Sequence, residues 1–363
     1  MPTLNGARAL ITGGAGFIGS RVAAKLTAVG ANVTVFDNLL AQVHGPNAAP
    51  PHWDGAVRFV LGDVRDHAAL AAAVHASDPD IVFHLAAETG TGQSYDEPTR
   101  YCDVNVSATS ALVEAMRSLP VRARRVILAG SRAIYGEGAY VDHDGATRNP
   151  APRRVEDMAA GRFAIVDQQG RPMRPASTHE DLPPAPASVY ASTKLMQEWL
   201  LTQGFAGQVI EPVILRFQNV YGPGQSLRNP YTGVLSIFCQ QILEGKTLDI
   251  FEDGEIVRDF VFVDDVVDAV LAAAAAAEAP NVAVNIGSGE TASILDAARV
   301  LLQLLRGGDE GGYRITGNFR AGDVRHAVAD IARAEALLGW SPKTSLADGL
   351  EALAIWAKAG QSH

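Results

Sequence analysis

Cysteine is almost missing from this chain: Cys102 and Cys239 are its only two among 363 residues. Two thiols so far apart make no disulfide framework, and no Cys/His cluster has zinc spacing, so no metal is expected. Both read as buried small apolar residues. Long apolar runs are lacking too. The Ala-rich stretch 269–279 carries Glu278 and follows a charged segment, so it reads as a packed helix and no membrane partner is expected. Excess positive charge is a third absence. With 30 Lys and Arg against 40 Asp and Glu, the formal charge of −10 argues against nucleic acid or an anionic membrane as a partner. A local arginine cluster can still override that balance for a small anion. The chain passes from Met1 almost directly into an apolar run with no signal-peptide pattern, so a cytoplasmic location is expected. What is present, 47% hydrophobic and 19% charged residues, is ordinary for a globular protein. The length suggests one large lobe and a smaller one.

The richest stretch is the first thirty-seven residues. Ala9-Leu10-Ile11-Thr12-Gly13-Gly14-Ala15-Gly16-Phe17-Ile18-Gly19 leads into a helical pattern and then Val33-Thr34-Val35-Phe36-Asp37. A strand, a glycine turn, a helix and a second strand ending in a carboxylate make a βαβ dinucleotide-binding unit. Gly13 and Gly14 permit the tight turn. Gly16 leaves a pyrophosphate access to the helix N-terminus, and Gly19 lets helix and sheet pack closely. Asp37 falls where a carboxylate accepts both ribose hydroxyls of an adenosine and repels a 2′-phosphate, which favours NAD over NADP.

Strand and helix patterns then alternate. Val57–Leu61 reads as a strand, His67–Ala76 as a helix, Asp80–Ala87 as a strand, Asp103–Leu119 as a helix and Arg125–Ser131 as a strand. The expected fold is α/β, a doubly wound parallel sheet whose ligands sit beyond the carboxyl ends of the strands. Asp63 is placed either to accept from an adenine amino group or to cap the next helix, while Ala86 and Ala87 are small enough to let a cofactor pass. The segment 137–186 breaks the rhythm with Pro, Gly and charge. Its turns at Asp142–Gly145 and Asp167–Gly170 suggest two hairpins, and it reads as an insertion, either a lid or a subunit contact.

Tyr190 and Lys194 lie four residues apart at the start of a helical pattern, on one face. An ammonium beside a phenol stabilises the phenolate and lowers its pKa, so Tyr190 can take a proton from a sugar hydroxyl while hydride leaves for a nicotinamide. Lys194 can also hold the nicotinamide ribose, and Ser131 can share the proton.

With these elements the chain resembles the extended short-chain dehydrogenase/reductase family, in particular its nucleotide-sugar epimerases and dehydratases. The resemblance is carried by the glycine turn, Asp37-Asn38, Gly62-Asp63-Val64, His84-Leu85-Ala86-Ala87, Val104-Asn105, Ser131 before Tyr135-Gly136, and Tyr190 with Lys194. Further on it is carried by Leu215–Pro223, Arg258–Val263, Asn285-Ile286-Gly287 and Arg320-Ala321-Gly322-Asp323. It implies a Rossmann domain over 1–215, interrupted by the insertion. It also implies a smaller nucleotide-sugar lobe over 216–363, part of which, about 258–290, returns to the first domain. The implied cofactor residues are Gly13, Gly16, Phe17, Ile18, Gly19, Asp37, Asn38, Asp63, Val64, Leu85, Ala86, Ala87, Asn105, Tyr190 and Lys194. Asn219, Arg258 and Arg320 match residues that bind the substrate diphosphate, and Asp323 one that contacts its ribose. Two guanidinium forks suit a pyrophosphate in a way lysine cannot copy. The alternative for each arginine is a surface ion pair, such as Arg258 with Asp259.

Relatives that dehydrate carry an acidic pair straight after the serine, and relatives that decarboxylate carry a glutamate at the position of Ala133. Here Arg132 and Ala133 stand there, which leaves C4 epimerisation of a UDP- or dTDP-hexose. A ketoreductase, or a non-catalytic dinucleotide sensor, is the alternative. Local wording is similar to bacterial dTDP-deoxysugar epimerases, and places Glu88, Gln93, Ser131, Arg132, Tyr231 and Thr232 at the sugar. Surplus apolar residues Leu112, Met116, Leu195, Trp199 and Leu200 on two helices predict a homodimer, as in relatives.

Overall fold

In the computed structural model, which describes residues 4–55, 57–122, 124–227, 233–280 and 282–360, seven strands form one parallel sheet. They are β1 (Arg8–Thr12), β2 (Asn32–Asp37), β3 (Val57–Leu61), β4 (Ile81–His84), β5 (Arg124–Ser131), β6 (Ile210–Phe217) and β7 (Val284–Ile286). Their spatial order is β7-β6-β5-β4-β1-β2-β3. The order reverses between β1 and β4, which opens a crevice at the carboxyl ends of those strands. The longer helices are α1 (Gly19–Ala28), α2 (His67–Ser77), α3 (Ala108–Arg117), α4 (Val189–Gly204), α5 (Val234–Leu243), α6 (Val263–Ala275), α7 (Ile294–Arg306) and α8 (Leu346–Gly360).

Apolar strand residues face both ways because helices cover both sides. Ile11, Val33, Val35, Phe83 and Ile127 pack with α1 and α6, while Leu10, Phe36, Val82, Val126 and Leu128 pack with α2, α3 and α4. A third core lies under α5, α7 and α8, around Phe238, Phe260, Leu301 and Leu350. Local chemistry sets the helix starts. Asp66 accepts from Ala69 N at 3.0 Å and caps α2, and Ser188 accepts from Ala191 N at 3.1 Å and caps α4. Asp66 is the cap, and Asp63 instead faces the crevice, bonded to Arg65 and Asn38.

Two local expectations are corrected. The helix expected to begin at Asp103 starts as a π-turn, Cys102–Ser107, and becomes α-helical at Ala108. This widened turn brings Asn105 fully inside and Cys102 outward, so Cys102 is exposed and only Cys239 is buried.

Both hairpins of the insertion are present. Tyr140–Val141 pairs antiparallel with Thr147–Arg148 and with Arg174–Pro175, and Val166 bridges Pro172. Asp142 and Asp167 shape the turns, each Oδ1 accepting two backbone N–H groups. Residues 137–186 contribute nothing to the cavity wall, so the insertion does not cover the cavity in this structure. It clasps the C-terminal strands instead. Thr178 N donates to Val328 O at 2.8 Å and Asp330 N to Thr178 O at 2.9 Å. Arg153, itself almost fully buried, reaches Glu137 at 3.3 Å, Glu252 at 2.8 Å and the Asp323 carbonyl at 3.0 Å.

Candidate functional site

At the crevice lies a cavity of about 810 Å³ that runs from the end of β2 to the start of α4 and on to Arg258. The glycine turn forms its floor. Gly13 has φ +70°, and a Cβ there would stand 2.6 Å from Ala86 N. A Cβ on Gly19 would collide with the Gly13 carbonyl. In front of Gly16 only that carbonyl is near, at 3.3 Å, so the approach to the N-terminus of α1 is open. Asp37 is buried, its Oδ2 accepting from Ala15 N at 3.0 Å and its Oδ1 from Leu39 N at 2.8 Å. Each oxygen keeps a lone pair for a ribose hydroxyl. Asn38 donates to Asp63 at 2.9 Å, and Arg65, with Asn38, holds the Asp63 carboxyl well below the usual range. Phe17, Ile18, Val64, Leu85, Ala86 and Ala87 line the same stretch. The open pyrophosphate approach, the buried acidic ribose seat and the small residues at Ala86 and Ala87 together fit NAD.

Further along the wall, Ser131, Tyr190 and Lys194 come together. Tyr190 N donates to Ser94 Oγ at 3.1 Å and its ring meets Tyr101 edge-on at 6.3 Å. The expected lowering of its phenol is not what this state shows. Burial raises it, against the opposing pull of the Ser131 hydroxyl and the Arg132 charge. The Lys194 ammonium, one turn on, donates to Gln197 Oε1 at 2.7 Å. Burial brings Lys194 down to about 8, with Glu198 opposing.

The far end is electropositive. Arg132 and Arg258 both line it, and burial, then the charge of Arg258, lowers Arg132 to about 10. Arg258 is buried and donates to Asp323 Oδ1 at 2.7 Å and to Val324 O at 2.9 Å. Its partner is therefore Asp323, not Asp259, whose carboxylate is filled by Ser288, Gly289 and Ala329. Asn219 and Asp323 also line this end.

Three expected site residues are placed elsewhere. Asn105 lies behind the wall, its amide bound to Glu88 N and O and to Thr193. Gln93, itself buried, is turned towards Gln42 and Glu97, because that helix presents its small Thr91 to the cavity instead. Arg320 is exposed and lies over the Phe251 ring at 5.1 Å, outside the cavity wall. Glu88 does line the cavity, in an ion pair with Arg100 at 2.8 Å. Tyr231 and Thr232 fall outside the described residues. Sequence reasoning missed Arg100, which lines the wall, and Gln197. The spacing of Gln197 three residues after Lys194 was the available signal. Motif residues Tyr135, Arg216 and Asn285 prove to be structural. Arg216 donates to the Tyr135 hydroxyl at 2.7 Å, which donates to Asn285 at 2.8 Å, and Arg216 also pairs with Glu198.

The model of the NAD dependent epimerase/dehydratase family matches residues 9–287. A dTDP-L-rhamnose 4-epimerase of Burkholderia thailandensis is 40% identical over 353 residues, 97% of this chain and 95% of that one. A UDP-glucose 4-epimerase of Mycolicibacterium smegmatis is 32% identical over 94% of this chain and 96% of its own length. Among solved structures, UDP-glucose 4-epimerase of Thermotoga maritima with UDP-glucose superposes with a TM-score of 0.78 at 30% identity. It covers 97% of this chain and 99% of that chain. The chain belongs to the NAD-dependent epimerase/dehydratase family, as an epimerase-type enzyme of the extended short-chain dehydrogenase/reductase group whose cofactor is NAD.

Proposed function

We propose that this enzyme inverts C4 of a UDP- or dTDP-linked hexose, and that its substrate is a 6-deoxyhexose, the sugar type named for the 40% identical relative. One observation carries the reading. Tyr190, Lys194 and Ser131 meet in the cavity, whereas the two residues after Ser131 are Arg132 and Ala133, neither able to serve as the acid of an elimination or a decarboxylation.

When bound, NAD supplies a hydride acceptor that gives back what it takes. The chain does the rest. Tyr190 Oη takes the proton from the C4 hydroxyl, and Ser131 Oγ donates to that same oxygen as the carbonyl forms. The Lys194 ammonium favours the phenolate form of Tyr190. Arg258 and Arg132 hold the diphosphate, with Asn219 beside them and Asp323 at the nucleoside ribose. Anchored there alone, the 4-keto sugar can turn its other face before Tyr190 returns the proton. Asp37 opposes a 2′-phosphate, which weighs against an NADPH-consuming reductase.

The deciding experiment incubates purified protein with a panel of UDP- and dTDP-hexoses and resolves C4 epimers by NMR. The same mixture is expected from either epimer. NAD is expected to co-purify and to survive many turnovers unreduced. Release of one NADH per substrate would instead make the protein a dehydrogenase.

We also propose a cytoplasmic homodimer, on narrower grounds than the sequence suggested. Leu112, Met116 and Leu195 are core residues, and Leu200 is half-buried. What α4 leaves outside is Met196 at 41% and Trp199 at 49% exposure, and Tyr95 is exposed on the Thr91–Asp96 helix that packs against α4. A C2 pairing through α3 and α4 covers these side chains. Light scattering at micromolar concentration is expected to give twice the chain mass, and a monomer mass would remove the proposal.

A further inference from the structure

Lys194 is the first link of a buried hydrogen-bonded chain. Its Nζ donates to Gln197 Oε1 at 2.7 Å, and Gln197 Nε2 donates to Thr109 Oγ1 at 2.9 Å. Thr109 donates to Asn105 O at 2.6 Å and lies 3.0 Å from His84 Nε2. His84 Nδ1 lies 2.8 Å from Thr12 Oγ1, on the residue before the glycine turn. Lys194, Gln197, Thr109, His84 and Thr12 are all buried.

The polarity of this chain is fixed by its members. Burial, aided by the Lys194 charge, takes His84 down to about 3, so the imidazole is neutral. The Thr109 hydrogen is committed to the Asn105 carbonyl, so Thr109 can only accept from the Gln197 amide nitrogen. That turns the amide oxygen to Lys194. A reversed amide would set donor against donor at Lys194 and acceptor against acceptor at Thr109.

We propose that Gln197 is a positioning residue for the epimerisation, its carbonyl keeping the Lys194 ammonium protonated and placed while Thr109 and His84 lock the amide that does so. The proposal rests on the reading of Tyr190 and Lys194 as base and partner. Few other groups face the ammonium. Glu198, one turn on along α4, is held by Arg216 at 2.8 Å. His84 comes from β4, and Tyr190, on the preceding turn, is itself faced by Ser131 and Arg132. With so little opposing charge nearby, a neutral acceptor decides how readily a buried ammonium keeps its proton. Burial brings Lys194 down to about 8, inside the range where that choice changes activity.

The test follows the Lys194 ζ-nitrogen by NMR across pH in full-length protein, beside the basic limb of the pH–kcat profile. Gln197→Met, close in volume but a poor acceptor, is expected to lower both midpoints by about one pH unit, a tenfold change. Gln197→Glu is expected to raise both, with KM for the nucleotide sugar unchanged in either variant. Midpoints that stay in place, or move the same way in both, would overturn the proposal and leave Gln197 as packing. If either variant fails to fold, Thr109→Val provides the second measurement. It frees the amide and is expected to lower the NMR midpoint by a smaller amount, and no movement overturns the proposal equally. The NMR midpoint needs no turnover, so it stands apart from the fate of the epimerase reading.

Discussion

Tyr190→Phe is expected to cut turnover by at least about 10²-fold while nucleotide-sugar affinity barely changes, the pattern for loss of a general base. The substitution is unusually clean here. The ring keeps its edge contact with Tyr101 and the backbone N–H keeps Ser94. What disappears is a hydroxyl that faces Ser131 and Arg132 across the cavity. Steady-state kinetics with calorimetric binding of the nucleotide sugar separates the two quantities. Turnover within a few-fold of the parent would move the base to another residue.

Arg153→Met is expected to destabilise the protein by about 3–5 kcal/mol, the usual cost of stranding buried charge. Arg153 joins Glu137 from the start of the insertion to Glu252, and Glu252 has a buried oxygen, Oε1, without a partner even now. Removing the guanidinium leaves two buried carboxylates that share only Arg325, through its backbone N–H to Glu137 and its Nη1 to Glu252. Because Arg153 also holds the Asp323 carbonyl, KM for the nucleotide sugar is expected to rise with kcat nearly unchanged. Urea unfolding together with kinetics reads both effects. A midpoint equal to that of the parent would show that the insertion does not brace the Arg258–Asp323 pair.

The parts of this molecule legible in its sequence are those with a local physical cause. Apolar runs ending in Gly13 and Asp37 can only be buried strands beside a turn, and Asp142 and Asp167 make turns from their own side chains. Residues set by distant partners were not legible. Asn105 and Gln93 belong to motif stretches, but a π-turn and a short helix point them inward to Thr193 and Gln42. Arg320 answers to Phe251, some seventy positions away in the chain. The depressed phenol expected of Tyr190 failed for a similar reason: four-residue spacing places an ammonium on the right face, but does not show the burial that raises the phenol. The role of the insertion could not be read either, since its partners Glu252 and Val328 lie far along the chain.

The parallel sheet closes on β7, and this sets an order of events during synthesis. β6 ends at Phe217 and its outer neighbour begins at Val284, so the ribosome must add the intervening stretch before that edge can pair. At about 5–20 residues per second the gap lasts several seconds. During that interval Leu215 and Phe217, both buried in the finished fold, sit on an open strand edge, a template for pairing with other chains. Nascent chains stalled between these two strands are the species a chaperone would have to shield.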